Sequence, residues 1–369
     1  MTELNIVPKG ALLIRNGIVV DVGPASRVEN LAGARNAREI DATGRVVMPA
    51  FVDADVGLVE SGGDSGALRL MSRKRVLARA ASMSAECARY GCLTIGAQTR
   101  CATDLQNIGK LLRVHQALQL KPARVRSIFS PPLAPDGTRT RAQILEALTS
   151  KWLPAIKNKK LASVVELTVA DTSTDISMLR EAAVVAAGLG YAIRLRSASR
   201  LEPVHLQLAL SAGAIGIVAP MDTLRAFVGP LSAVGCIRVI PASEGFDDDA
   251  ENAAQAIRGA IGEGAAIALT SSCRPRGVSS LNMQYLLYLA VHKLGLTPEE
   301  AITATTWNPA CSLRLSHVTG SLEPGKRADL LVMEVPDYRE LARRAGHLDV
   351  SLVMCEGRVV LRTPSLSVD

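Results

Sequence analysis

Asp53 and Asp55 stand two residues apart where the apolar run 46–52 gives out, so a strand ends in two carboxylates. Such a pair can hold a metal if nitrogen donors join it, can move protons, or can bind a cationic side chain. No histidine lies beside them. His115, His205, His292 and His317 fall in or next to helical patterns and His347 precedes a late strand, so each reads as a helix-face or surface residue. Cys87, Cys92, Cys101, Cys236, Cys273, Cys311 and Cys355 are odd in number and contain no CxxC pair, which argues against a disulfide framework and a zinc knuckle. No Ser-His-Asp or Cys-His set is visible at matching positions, although Cys273 beside Ser272 is a candidate thiol.

The elements that would position these residues follow from texture. Short apolar or β-branched runs at 46–53, 92–97, 124–129, 163–169, 192–196, 214–218, 237–241 and 266–270 make eight candidate strands. Helical patterns lie between them at 76–90, 142–157, 177–188 and 250–264, as a (β/α)8 barrel requires. An open doubly wound sheet is the alternative, but no GxGxxG follows any strand. Before the barrel, ALLIRNGIVVDVG at 11–23 carries the hairpin dipeptide Asn16-Gly17, and a second strand pair is expected at 39–40 and 45–48. After it come strands at 327–333 and 350–360, the latter broken by Glu356-Gly357. The expected fold is therefore α/β, a TIM barrel over 49–321 with a small composite β-sandwich built from 1–48 and 322–369.

Composition fits. The 369 residues suffice for a barrel plus an accessory unit, and with aromatics at only 3% the core must be mainly Val, Leu, Ile and Ala. No uncharged apolar run approaches the roughly 20 residues of a membrane span, and residues 1–10 show no leader pattern, so a cytoplasmic protein without membrane contact is expected. The net charge of +7 has local sources at 73–75 and 157–160, neither interleaved with aromatics. That reads as a solvated basic face and not as a nucleic-acid site.

Three segments together resemble the amidohydrolase superfamily. VVMPAFVDADVGL at 46–58 is similar to its strand-one motif V-x-P-G-F-x-D-x-H-T-H, TPEEAITATTWNPA at 297–310 to its last barrel helix, and GSLEPGKRADLLV at 320–332 to the re-entry into its small domain. VPDYREL at 335–341 narrows the resemblance to the imidazolonepropionase branch. The resemblance implies a metal-activated water attacking a C–N bond, with histidines and an aspartate at the ends of barrel strands.

At those places this chain differs. The strand-one histidines become Asp55 and Gly57, the strand-five histidine becomes Arg196, the strand-six histidine becomes Ala219, and the strand-eight aspartate becomes Ser272. Arginine has no free lone pair and cannot ligate a metal. The branch's K-S-G-Y-G segment after strand two reads Gln98-Thr99-Arg100-Cys101-Ala102, so the branch's substrate is not carried over.

What would converge at the barrel mouth is then Asp55, Arg196 and Ser272 as candidate catalytic positions, with Arg100, Arg274 and Arg276 as candidate ligand contacts and neither metal nor cofactor. Arg196 is expected to pair with Asp53 or Asp55, and the arginines to suit a small anion. The leading functional reading is a non-catalytic homologue, dimeric as relatives tend to be, that binds a small anion or serves in an assembly. The alternative is a metal-independent hydrolase of non-peptide C–N bonds using Asp55, Arg196 and Ser272. A true metallohydrolase with its ligands elsewhere ranks third.

Overall fold

The computed structural model describes residues 4–59, 65–102, 104–118, 122–134, 139–169, 175–197, 201–219, 235–241, 250–272 and 281–364. Eight strands form one parallel sheet in sequence order: β4 (Phe51–Val56), β5 (Cys92–Gln98), β6 (Arg124–Phe129), β7 (Val164–Val169), β8 (Ala192–Ser197), β9 (Gly216–Val218), β10 (Ile237–Pro241) and β11 (Ile267–Thr270). Almost every strand residue is buried, as expected where helices cover one face of a sheet and the barrel interior the other. The crossover helices begin at side-chain caps: Ser72, Asp104, Thr140 and Asp175 each accept a bond from a backbone N–H of the first turn.

Two apolar layers hold the barrel. Phe51, Val56, Ile95, Val165, Leu195 and Leu269 belong to the layer between strands and helices. Val52, Ala54, Ile128, Val164, Ala192, Val218, Val239 and Ala268 fill the interior, which Ala310, Leu313 and Leu315 plug from the helix Trp307–Ser312 onward. A Cβ on Gly96 would sit 2.5 Å from the Ala54 carbonyl oxygen and 2.8 Å from Leu313 Cδ2, so only glycine lets β5 pass here. At the seam, β4 and β11 are the two ends of the hydrogen-bonded order. Side chains bridge it: the Thr270 and Ser271 hydroxyls both donate to the Asp53 carboxylate, and Thr270 Oγ1 lies 3.1 Å from the Asp55 carbonyl.

Strands from the two ends of the chain share one small antiparallel sheet, in the order β14 (Arg358–Arg362), β13 (Val350–Cys355), β12 (Leu330–Met333), β3 (Val46–Pro49). The hairpin β1 (Gly10–Arg15) and β2 (Ile18–Pro24) turns at Asn16 and Gly17, both with positive φ (53° and 79°), and its Ile14 packs on Leu330, Val332, Leu352 and Met354.

Two expectations need correction. The run 46–53 is not one strand: Ala50 divides β3, which pairs with β12, from β4, which opens the barrel. The expected pair at 39–40 and 45–48 does not form, because β3 takes β12 as its partner and Ile40 makes only an isolated bridge. Among the described residues no helix is long and apolar enough to cross a membrane.

Candidate functional site

Asp55 reaches the barrel interior through an irregularity. Val52 and Ala54 face inward and Phe51 faces the helices, so strict alternation would turn Asp55 outward with Phe51. The register between β4 and β5 shifts between Asp53 and Val56, and the break in alternation turns the Asp55 side chain inward. There it meets Arg196 from β8, whose Nη2 lies 2.6 Å from Asp55 Oδ2. Arg194, two residues earlier on the same strand face, donates from Nη1 to the Ala54 carbonyl at 2.8 Å.

The centre of the arrangement is Glu166 on β7. Its Oε1 accepts from Arg196 Nε at 2.9 Å and lies 3.3 Å from Arg100 Nη1, while Oε2 is 3.1 Å from Arg194 Nη2. Arg100, just past β5, also approaches Asp55 Oδ1 at 3.5 Å. Ser272, past β11 and with φ at 46°, donates from Oγ to Asp55 Oδ2 at 3.2 Å. Glu166 and Arg194 have no exposed side-chain surface, and Arg100, 16% exposed, is the part of the network that meets solvent.

Burial acts on every one of these groups, and the neighbours decide the outcome. For Asp55, burial would raise the pKa, but Arg100, Arg196 and Arg194 outweigh it and hold the carboxyl well below the usual carboxylate range. Glu166 is lowered in the same way, its burial overcome by Arg196, Arg194 and Arg100. Arg196 is raised because Asp55 and Glu166 outweigh its own burial, whereas burial dominates at Arg194 and lowers it. Asp53 is different. Burial pushes it up to about 6 against the donation of Ser271 and Thr270, and among the described residues it pairs with no guanidinium.

Of the residues singled out by sequence, Asp55, Arg100, Arg196 and Ser272 come together, and Arg196 selects Asp55 over Asp53. Arg274, Arg276 and Cys273 lie outside the described residues. Ala219, fully buried, brings no donor to the site. The histidines stay away: His115 is buried in its helix with its pKa pushed down to about 4, the backbone N–H of Glu202 donates to His205 Nδ1, and His347 contacts Asp349. Glu166 and Arg194 were not anticipated. The usable signal was parity, because Arg194 and Arg196 alternate with Ile193 and Leu195 as residues of one strand face do, and Glu166 interrupts an otherwise apolar strand that a barrel must bury.

The barrel and its accessory sheets are shared with solved structures. The 5-methylcytosine deaminase from Klebsiella pneumoniae superposes with a TM-score of 0.72 at 16% identity, covering 95% of this chain and 94% of that one. The ochratoxinase of A. niger does so with a TM-score of 0.70 at 16% identity, covering 96% and 92%. The Amidohydrolase family model matches residues 235–360. Imidazolonepropionase from Solibacter usitatus is 29% identical, over 98% of this chain and 93% of that protein, and the one from Porphyromonas gingivalis strain W83 is 27% identical, over 95% and 89%. Along nearly its whole length this chain is similar to proteins of the amidohydrolase superfamily. The likeness is imidazolonepropionase-like, at 27–29% identity to these two relatives.

The ion network occupies the carboxy-terminal mouth of the barrel, where (β/α)8 barrels place their sites. Among the described residues no group of three or more His, Cys, Asp or Glu side chains converges in a way that could hold a metal ion.

Proposed function

We propose that this protein is a non-catalytic amidohydrolase homologue whose barrel mouth binds a small anion or serves an assembly, and that it works without a metal. The observation that carries the reading is the 2.6 Å contact between Arg196 and Asp55. Both stand at places where the superfamily resemblance puts metal ligands. A guanidinium fixed against the carboxylate supplies the positive charge that a metal would bring, offers no lone pair, and repels any second cation. These donors do not fit a divalent ion.

The runner-up, a metal-independent hydrolase, draws on the Ser272 hydroxyl donating to Asp55 at 3.2 Å. It needs Asp55 to accept that proton. A carboxyl held well below its usual range by three guanidiniums is a poor base, so the pair orders Ser272 without activating it.

The test is a screen for C–N hydrolysis of cyclic amides with and without a chelator, repeated on Asp55→Asn and Arg196→Ala. The reading expects no turnover above the uncatalysed rate in any arm. Turnover abolished by chelator would defeat it, and turnover insensitive to chelator but lost in both variants would establish the hydrolase reading instead.

A further inference from the structure

The short helix Ser65–Leu70 ends at a pinned corner on the outside of the barrel. Leu68 is buried beneath it, and Lys110 of the helix Leu105–Ala117 donates from Nζ to the carbonyls of Leu68 and Met71 at 3.0 and 3.1 Å, with that of Arg69 at 3.4 Å. The chain then enters the helix Arg73–Arg89, whose first turn Ser72 caps by accepting from the Arg75 backbone N–H. Held this way, Leu70 stands out into solvent. It is 91% exposed, against 67% for Val184, the next among the described large apolar residues.

Cations surround it. Arg73, Lys74 and Arg75 are exposed, and their side chains make no ion pair or hydrogen bond among the described residues. Arg79 leans back to the corner, its Nη1 3.6 Å from Met71 Sδ, while Arg69 alone meets a carboxylate, Asp104 at 3.4 Å. Residues 65–85 and 105–118 contain no acid at all. Three cations in the first turn of a helix oppose its dipole, so the cluster does not serve the stability of that helix. The run 73–75 looked like a solvated face in sequence, where nothing showed that an apolar residue stands outside beside it.

We propose that this corner attaches the protein peripherally to an anionic lipid surface, with Leu70 entering the acyl boundary and Arg73, Lys74, Arg75 and Arg79 meeting headgroup phosphates. A protruding apolar tip with cations splayed round it fits a soft planar partner, whereas an acidic protein would need a socket shaped to receive Leu70. A second copy of this chain would bring like charges together. No spanning segment is required, and the inference is independent of what the barrel mouth does.

The experiment measures cosedimentation of the full chain with vesicles of pure phosphatidylcholine and of a three-to-one mixture of phosphatidylcholine and phosphatidylglycerol. Wild type is expected to bind the mixed vesicles only, and less as salt is raised. Arg73→Gln with Lys74→Gln is expected to weaken binding about 25-fold, at about fivefold for each charge. Lys159→Gln with Lys160→Gln removes the same charge elsewhere and should change little. Leu70→Ser leaves the charge alone and is expected to weaken binding about tenfold or more through lost apolar burial. All five positions are exposed, and an unchanged unfolding temperature checks that each variant is folded.

No binding to the mixed vesicles would overturn the proposal. Equal losses in the two double variants would also overturn it, by assigning the attraction to net charge, and so would a Leu70→Ser variant that binds like wild type. Poly-glutamate is the competing probe: if it binds at Arg73 and Lys74 and vesicles do not, the corner serves an acidic protein and the lipid assignment falls.

Discussion

Glu166 carries more of the site than any residue that sequence brought forward, because it joins three guanidiniums. Removing its charge leaves buried cations unpaired, and Glu166→Gln is expected to cost about 3–5 kcal/mol of stability by urea unfolding. Ser272→Ala, which deletes one hydroxyl donor to Asp55, should cost about 1 kcal/mol. Asp53 makes a separate, pH-dependent contribution. Its folded pKa of about 6 lies above the ordinary 3.8, so the folded state binds its proton more tightly than the unfolded chain does. The stability it lends is complete below the unfolded value and is lost as pH rises through about 6. Asp53→Asn removes that term, so unfolding midpoints of the variant relative to wild type should rise from acid pH to about 6 and then level off. Asp55 and Glu166 act with the opposite sign: their lowered pKa values contribute stability above the unfolded carboxyl range that is lost on acidification.

At the scale of elements, Gly96 marks the tightest point of the barrel. Gly96→Ala presses a methyl group onto the Ala54 carbonyl and Leu313, and a loss of about 1–3 kcal/mol is expected from that overpacking, read from denaturant unfolding. Eight strands were readable because each is a short β-branched run set apart by a helical pattern. The division at Ala50 was not, because 46–56 is apolar almost without a break and only pairing assigns its first half to β12. The inward turn of Asp55 was hidden for a related reason: alternation predicts the other face, and a register shift leaves no mark in residue types. The pairing of Arg196 with Asp53 or Asp55 was legible only through the resemblance, which set Arg196 and Asp55 at positions that share one site, and charge then made them partners. Glu166 stayed unseen because a lone acid in a strand has no partner in sequence until the barrel brings β5, β7 and β8 to one mouth.

The whole molecule shares the barrel and small-sheet architecture of its amidohydrolase neighbours, and arginine and carboxylate fill the mouth of its barrel. The shared terminal sheet and the layer between strands and helices are held by apolar contacts. Fold therefore does not decide function here, and the site must. If Arg196 takes the place of a metal ion, the protein purified from cells grown with added zinc and iron should carry neither in stoichiometric amount, and chelator should leave its unfolding temperature unchanged. Metal analysis of that purified chain is the most direct measurement. A value near zero is the result predicted, and one tightly held metal per chain, whose removal lowers the unfolding temperature, would contradict the account.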